Sequence, residues 1–323
     1  MTTETGDERD QCRRLLDAWD LGQVTGIERQ LGGASNRVYR VQTGAGVRFL
    51  RIYRRANPAL AEREHALIMH ARRQGVPTVA LVPARSGSSV VQVEDVVCAL
   101  YEAATGTQVP NGGLGSSHAI AAAACLGHLH GALQPLPDAG YLRWRIAWDA
   151  PAWIERLNVL ELALSGRGVR DDTDRWALER LRAQRQWLGH PDCAHVYDPS
   201  ASPQVLHGDY QAMNLFFRDG CVSAVIDWDQ AAFMPRGFEV VRACSFLFRL
   251  EPELTHQFLR AYRAANPLDD RELADGARAW SCFADHHVWP IEEAYLNGNH
   301  EARRFIPHAP FRPFREAWAE LGL

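Results

Sequence analysis

Between Val205 and Asp229 the sequence reads Val-Leu-His-Gly-Asp-Tyr-Gln-Ala-Met-Asn and then Leu-Phe-Phe-Arg-Asp-Gly-Cys-Val-Ser-Ala-Val-Ile-Asp-Trp-Asp. This stretch constrains the fold more than any other. Two short apolar runs, Val205-Leu206 and Leu215-Phe216-Phe217, flank a polar turn, and Asp219-Gly220 separates the second from a third run, Val222 to Ile226. Strand, loop and hairpin are the predicted order, because Asp-Gly between apolar runs favours a two-residue turn. The polar residues are then presented at strand ends.

Their types and spacing point to a chemistry. Four residues separate Asp209 from Asn214, and Asp227 follows Asp209 by eighteen positions, at the end of an apolar strand. Moving a phosphoryl group from ATP asks for a carboxylate beside the acceptor hydroxyl and for oxygen ligands that hold Mg2+ on the phosphates. Asp209 is the candidate catalytic carboxylate, and Asn214 and Asp227 are the candidate metal ligands, at the spacing of a kinase catalytic loop and its second metal aspartate. His207 is expected to hydrogen-bond the loop into shape. Asp229 is either a further metal or loop-ordering residue or a carboxylate on a surface turn.

The string resembles the catalytic segment of the aminoglycoside phosphotransferase-like family of kinases, which also holds choline, homoserine and methylthioribose kinases and a bacterial stress-response protein kinase. The loop reads His207-Gly208-Asp209 where eukaryotic protein kinases have His-Arg-Asp, so the resemblance implies no activation-loop switch. It extends over about residues 25 to 300 and is specific in the catalytic segment. It implies an α+β, two-lobed protein-kinase-like fold, with a small N-terminal antiparallel sheet lobe and a larger, mainly helical C-terminal lobe. Residues 1–103 would form the nucleotide-binding lobe, and 104–323 the catalytic and acceptor-binding lobe.

Within the first lobe, Gly32-Gly33-Ala34-Ser35 before Asn36-Arg37-Val38-Tyr39 reads as a turn between strands whose free N–H groups can approach phosphate oxygens. The resemblance makes Gly33, Ser35 and Asn36 nucleotide-binding. Arg51 stands where kinases carry a strand lysine, in a chain that contains no lysine at all. A guanidinium can bridge phosphate and carboxylate through its fork. Arg63-Glu64-His65-Ala66 resembles the family's helix and makes Glu64 the partner of Arg51, although Glu62 and Glu64 would also suit a helix N-terminus. Glu102 and Ala103 fall at the hinge, where backbone would meet adenine.

The remaining pattern is ordinary secondary structure. Disorder is expected over Met1 to Asp10, then helices over Gln11–Trp19, Leu60–Gln74, Ser117–Leu133, Tyr141–Leu164 and Asp174–Leu188. Val90–Glu94 and Val97–Tyr101 would complete a five-stranded sheet, and the chain reads as helical from Pro235 onward. His128 and His130 do not share a helix face, which argues against a zinc pair there. Trp280, His286, Trp289 and Tyr295 are read as core rather than as a pocket.

Composition bounds the partners. A formal charge of −4 gives no footprint for nucleic acid. No apolar run is long enough for a membrane span, and residues 1–14 lack an apolar export core. Seven scattered cysteines without a C-x-x-C pair suit a reduced, cytoplasmic setting. The expected activity is ATP- and Mg2+-dependent phosphorylation of a small-molecule hydroxyl, on an amino-sugar, antibiotic or amino-alcohol, with no obligate protein partner. A bacterial serine/threonine protein kinase of the same fold is a second reading. A nucleotide-binding member without turnover is a third, suggested by Arg51.

Overall fold

A computed structural model describes residues 6–30, 36–110, 112–138, 140–143 and 146–323. The chain runs α1 (Gly6–Leu16), β1 (Val24–Gln30), β2 (Arg37–Thr43), β3 (Gly46–Ile52), α2 (Pro58–Arg73), β4 (Leu81–Val82), β5 (Val91–Val93) and β6 (Val96–Glu102). It continues through β7 (Thr107–Gln108), α3 (Ser116–Leu133), β8 (Leu142–Arg143), β9 (Ile146–Ala147), α4 (Ala150–Gly166), α5 (Asp172–Leu188), β10 (Val196–Tyr197) and β11 (Pro203–Leu206). After a 3-10 turn at Ala212–Asn214 come β12 (Leu215–Arg218), β13 (Cys221–Val225) and β14 (Ala232–Pro235). The last helices are α6 (Arg236–Phe248), α7 (Pro252–Ala265), α8 (Asp270–Ala284), α9 (Trp289–Tyr295) and α10 (Phe314–Ala319).

Two compact units divide the chain. The first comprises Met1–Gln134 and His207–Ala231, and the second Pro135–Leu206 and Ala232–Leu323.

In the first unit an antiparallel sheet runs β1-β2-β3-β6-β4, with β5 also paired to β6. It therefore has six strands rather than the five expected; the added strand, β4, is only two residues long and too short for an alternation to show. Side chains alternate across a strand. Leu50 and Ile52 of β3 join Cys12, Leu15, Leu16 and Trp19 in one core cluster. Those four residues follow a helical period, which is why the chain is already helical from Gly6, inside the segment expected to be disordered. Arg51 and Tyr53 have the other parity. Tyr53 packs against the cluster of Ala61 of α2 with Val90 and Val97, and Arg51 reaches Glu64 on α2. The side chain of Asn57 caps α2 by accepting from the backbone N–H groups of Ala59 and Leu60, with Pro58 in the first turn, which sets the helix start two residues before the expected Leu60.

The segment His207–Ala231 supplies β12 and β13, which pair antiparallel, with β7 on the outer side of β12. Their turn is Asp219-Gly220, with φ of 52° and 75° at the two residues, the left-handed pair that a right-twisted hairpin requires. Beneath lies the alanine-rich α3, where the Tyr210 hydroxyl donates to the Ala122 carbonyl at 2.8 Å. His130 is fully buried on this helix.

The second unit is mostly helical. Leu157, Leu160 and Leu164 of α4, and Ala177, Leu181 and Leu188 of α5, form a core with Ile291, Ala294 and Tyr295 of α9. The expected helix from Tyr141 begins only at Ala150. Asp149 caps it by accepting from the Ala152 N–H at 2.9 Å, and the residues before it form the short strands β8 and β9. Trp280, His286 and Tyr295 are buried.

Helices α6 and α8 cross at Gly237 and Gly276. A Cβ on Gly276 would fall on the backbone of Gly237, and one on Gly237 would fall on the Glu272 carbonyl oxygen. Gly276→Ala must push the two helices apart, and we expect a loss of about 2 kcal/mol, the usual scale of overpacking. A melting temperature lower by several degrees checks it; an unchanged one would mean the crossing is looser than the coordinates show.

Candidate active site

His207 organises the site. Its Nε2 lies 3.0 Å from the Ile226 carbonyl, which can only accept, so this nitrogen carries the hydrogen. Nδ1 then accepts the Asp209 N–H at 3.2 Å. One buried ring thus ties the loop bearing Asp209 to the end of β13, next to Asp227. Backbone bonds add to the tie, since the Asn214 carbonyl accepts from the Ile226 N–H at 3.0 Å. The ring also meets Trp228 edge-on, 4.7 Å between centroids.

Gly208 is required by the same close approach. Its φ is +84°, and a Cβ would collide with the carbonyl of Gln230. No larger residue fits between His207 and Asp209, which gives His-Gly-Asp a steric cause.

Asp209 is then oriented by two amides. Gln211 Nε2 donates to Asp209 Oδ2 at 2.7 Å. Asn214 Nδ2 donates both to that oxygen and to the Asp209 carbonyl, each at 2.8 Å. With its nitrogen spent there, Asn214 keeps its side-chain oxygen as the atom that could meet a cation. Asp227 adopts φ of +65°, a left-handed conformation that costs on the order of 1 kcal/mol outside glycine.

Opposite these residues sits Arg51, 8% exposed. Its Nη1 pairs with Glu64 Oε1 at 2.8 Å, and its Nη2 with Asp227 Oδ1 at 2.9 Å and Asp229 Oδ2 at 3.0 Å. The guanidinium also lies over the Tyr53 ring, 5.1 Å from its centroid. Tyr53, His65 and Tyr101 form a closed triangle, each polar pair 3.0 Å apart. Burial holds His65 down at about 4, so it adds no second positive charge.

The carboxylates therefore outnumber the cation. Asp227 is raised to about 6, by desolvation first and then by Asp229 and Asp209, against the pull of Arg51. Because 42% of its side chain is accessible, water discounts the desolvation and leaves the neighbouring charges as the firmer cause. Glu64 rises to about 7, through burial first, against the pull of Arg51. Burial works against the Arg51 charge, yet Glu64 and Asp227 hold it far above the usual range. A pocket of oxygen donors with unbalanced negative charge suits a hard divalent cation.

Asn36 donates to Asp229 Oδ2 at 3.0 Å and accepts the Arg54 N–H at 3.1 Å, so it orders the carboxylate cluster. Gly33 and Ser35 lie outside the described residues. The Glu102 N–H is spent on the Ala80 carbonyl at 2.9 Å, and Ala103 follows the end of β6. Sequence reasoning left Asp229 between two roles; the structure joins it to Arg51 and Asn36, two partners far away in the chain. Its position two residues after Asp227 was the available signal.

Fold and site together define the kinase-like class of phosphotransferases. The pattern of the phosphotransferase enzyme family matches residues 26–276, and the chain belongs to that family. It is a phosphotransferase enzyme. A homoserine kinase from Phenylobacterium zucineum (strain HLK1) is 25% identical over 316 residues, covering 90% of this chain and 88% of its own. Among solved structures, a spectinomycin phosphotransferase with ADP and spectinomycin superposes with a TM-score of 0.67 at 13% identity, over 97% of this chain and 98% of its own. An amicoumacin kinase with AMP-PNP and Ca2+ superposes with a TM-score of 0.59 at 17% identity, over 96% and 97%. No helix among the described residues is long and apolar enough to cross a membrane.

Two outcomes follow from the geometry. Gly208→Ala should abolish turnover and lower the melting temperature, whereas alanine at Gly220, where φ of +75° costs some stability but a Cβ meets nothing within 4 Å, should change turnover little. The carboxyls of Asp227 and Glu64 bind protons more tightly in the folded chain than at their ordinary 3.8 and 4.5. Their ionisation therefore opposes folding, and that cost grows as pH rises through roughly 4 to 7. A divalent cation on Asp227 offsets it, so Mg2+ with ADP should raise the melting temperature more at about pH 8 than at about pH 5. In Asp227→Asn the pH dependence of that rise should largely vanish; if it persists, the titrating group lies elsewhere.

Proposed function

We propose that this enzyme transfers the γ-phosphate of ATP to the hydroxyl of a small molecule, with Mg2+ as the metal. The observation that carries the reading is the convergence of Asp209, Asn214, Asp227 and Arg51 in one unit, in an arrangement that leaves negative charge uncompensated. When bound, Mg2+ would neutralise charge on the phosphate oxygens.

The protein's own residues divide the remaining work. Asp209, held by Gln211 and Asn214, orients the acceptor hydroxyl and takes its proton as the phosphoryl group arrives. Asn214 and Asp227 hold the metal. Arg51 turns from Asp227 to the phosphates while Glu64 retains its other branch. Gly33, Ser35 and Asn36 are the candidates to bind the nucleotide phosphates, and the backbone at Glu102 and Ala103 is the candidate to meet adenine, at the proposed lobe boundary, 103/104.

For the acceptor, an amino-alcohol of the homoserine type is the first choice. It rests on the near full-length likeness to a homoserine kinase. Amino-sugar antibiotics come next, since the solved relatives include antibiotic kinases.

The test is ADP release with homoserine, choline, aminoglycosides and spectinomycin as acceptors. We expect Asp209→Asn to lower kcat by about 10²–10⁴ while nucleotide affinity stays within a few-fold. Arg51→Ala should instead raise KM for ATP, because no cation then bridges Glu64 and the phosphates. Nucleotide binding without turnover on any acceptor, or phosphate appearing only on added protein, would replace this reading.

A further inference from the structure

The second unit carries a cluster that phosphoryl transfer does not use. Cys193 and His195 lie in the connection from α5 to β10, and His286 follows the C-terminus of α8. Their ligand atoms all lie within 4.8 Å of one another. Cys193 is 7% exposed and His286 fully buried, while His195 is half-buried.

Geometry fixes the tautomer of His286. Its Nδ1 is 2.8 Å from the Cys282 carbonyl, an acceptor only, so Nδ1 carries the hydrogen and Nε2 presents a bare lone pair. That lone pair points to Nδ1 of His195, 2.9 Å away. The ring cannot easily turn. Trp148 stacks on it at 5.2 Å and 15° and donates its indole N–H to the same Cys282 carbonyl at 3.0 Å. Trp153 donates to the His286 carbonyl at 2.9 Å. An imidazole whose second nitrogen is anchored on a backbone carbonyl has the outer shell that metal-bound histidines show.

We propose that Cys193, His195 and His286 form a binding site for a borderline-soft divalent cation of the zinc class. One thiolate and two imidazoles select such an ion over magnesium, and water would fill the fourth tetrahedral position. Bond lengths of about 2.0–2.3 Å in a tetrahedron place ligand atoms about 3.3–3.7 Å apart. The cluster meets this if the two imidazole nitrogens, 2.9 Å apart, part by a few tenths of an ångström and the Cys193 sulfur, within 4.8 Å of both, moves in by up to about 1 Å. Protons balance simply. The metal-free histidine pair shares one hydrogen, on His195 Nδ1; on binding, His195 moves to its Nε2–H tautomer, and the Cys193 thiol gives its proton to solvent. The site joins the α5–β10 connection to the end of α8, so its role is to hold these two segments together.

The test uses the full chain, stripped with a chelator and titrated with Zn2+ against a chromophoric competitor in excess Mg2+, then with Co2+ for its spectrum. We expect about one equivalent of Zn2+, a thiolate-to-cobalt charge-transfer band, and a higher melting temperature with Zn2+. Cys193→Ala should abolish the band, and both it and His195→Gln should weaken Zn2+ binding by at least ~100-fold. Cys244→Ala, a buried thiol in α6, should change nothing. If Cys193→Ala does not fold, the half-buried His195→Gln still decides. Absence of Zn2+ binding by the folded wild-type chain, binding that survives both substitutions, or cobalt binding without the band would overturn the proposal and leave a plain histidine–histidine hydrogen bond.

Discussion

One guanidinium facing three carboxylates is the interaction on which the catalytic unit depends. Arg51 supplies a single charge to Glu64, Asp227 and Asp229, so at least two negative charges remain wherever all three are ionised. In a partly buried setting, like charges a few ångströms apart repel by kilocalories rather than tenths. Burial first, and that repulsion second, raise the carboxyls of Asp227 and Glu64. Withdrawing Arg51 from Asp227 would leave that carboxylate without its cation, so a cation bound there would lower the cost of turning the guanidinium elsewhere.

Backbone geometry makes the carboxylates converge. His207 spans two main chains, accepting at one end of its ring and donating at the other, a task that among the side chains an imidazole performs with little motion. The close approach it enforces leaves room only for glycine at 208. Asp227 pays a torsional cost at φ of +65°, and in return its carboxylate leaves the strand direction and meets Arg51. Residues 207–231 thus belong to the compact unit that holds β3 and α2, although more than a hundred residues of sequence separate them from Arg51.

The sequence made some of this legible and hid the rest for physical reasons. The Asp219-Gly220 hairpin and the Asp209, Asn214 and Asp227 spacing could be read because turn chemistry and strand ends are local. Asn57-Pro58 carried the true start of α2, and the apolar period through Cys12, Leu15, Leu16 and Trp19 carried α1, but both signals lie at element boundaries, where patterns are weakest. The region 141–149 misled because Trp and Leu at mixed spacing suit a buried helix and short strands alike; the Asp149 cap decides between them. Asp229 and the Tyr53–His65–Tyr101 triangle were out of reach, since their partners lie 12 to 193 positions away and only the folded sheet brings them together. The Cys193, His195 and His286 cluster is of the same kind, with its third member 91 positions from its second.

The arginine at position 51 raised the question of whether the site could have lost its chemistry. The structure answers through cost. A binding site that no longer handled phosphate and metal would gain stability by shedding Asp227 or Asp229, because each adds repulsion that Arg51 alone does not neutralise. Both are present, and Asp227 is held in a strained conformation at φ of +65°. The whole chain is free of lysine, so an arginine here follows from the composition of the protein rather than from decay of the site. What distinguishes a working phosphoryl-transfer centre is the excess of oriented oxygen donors around one cation, and that excess is intact.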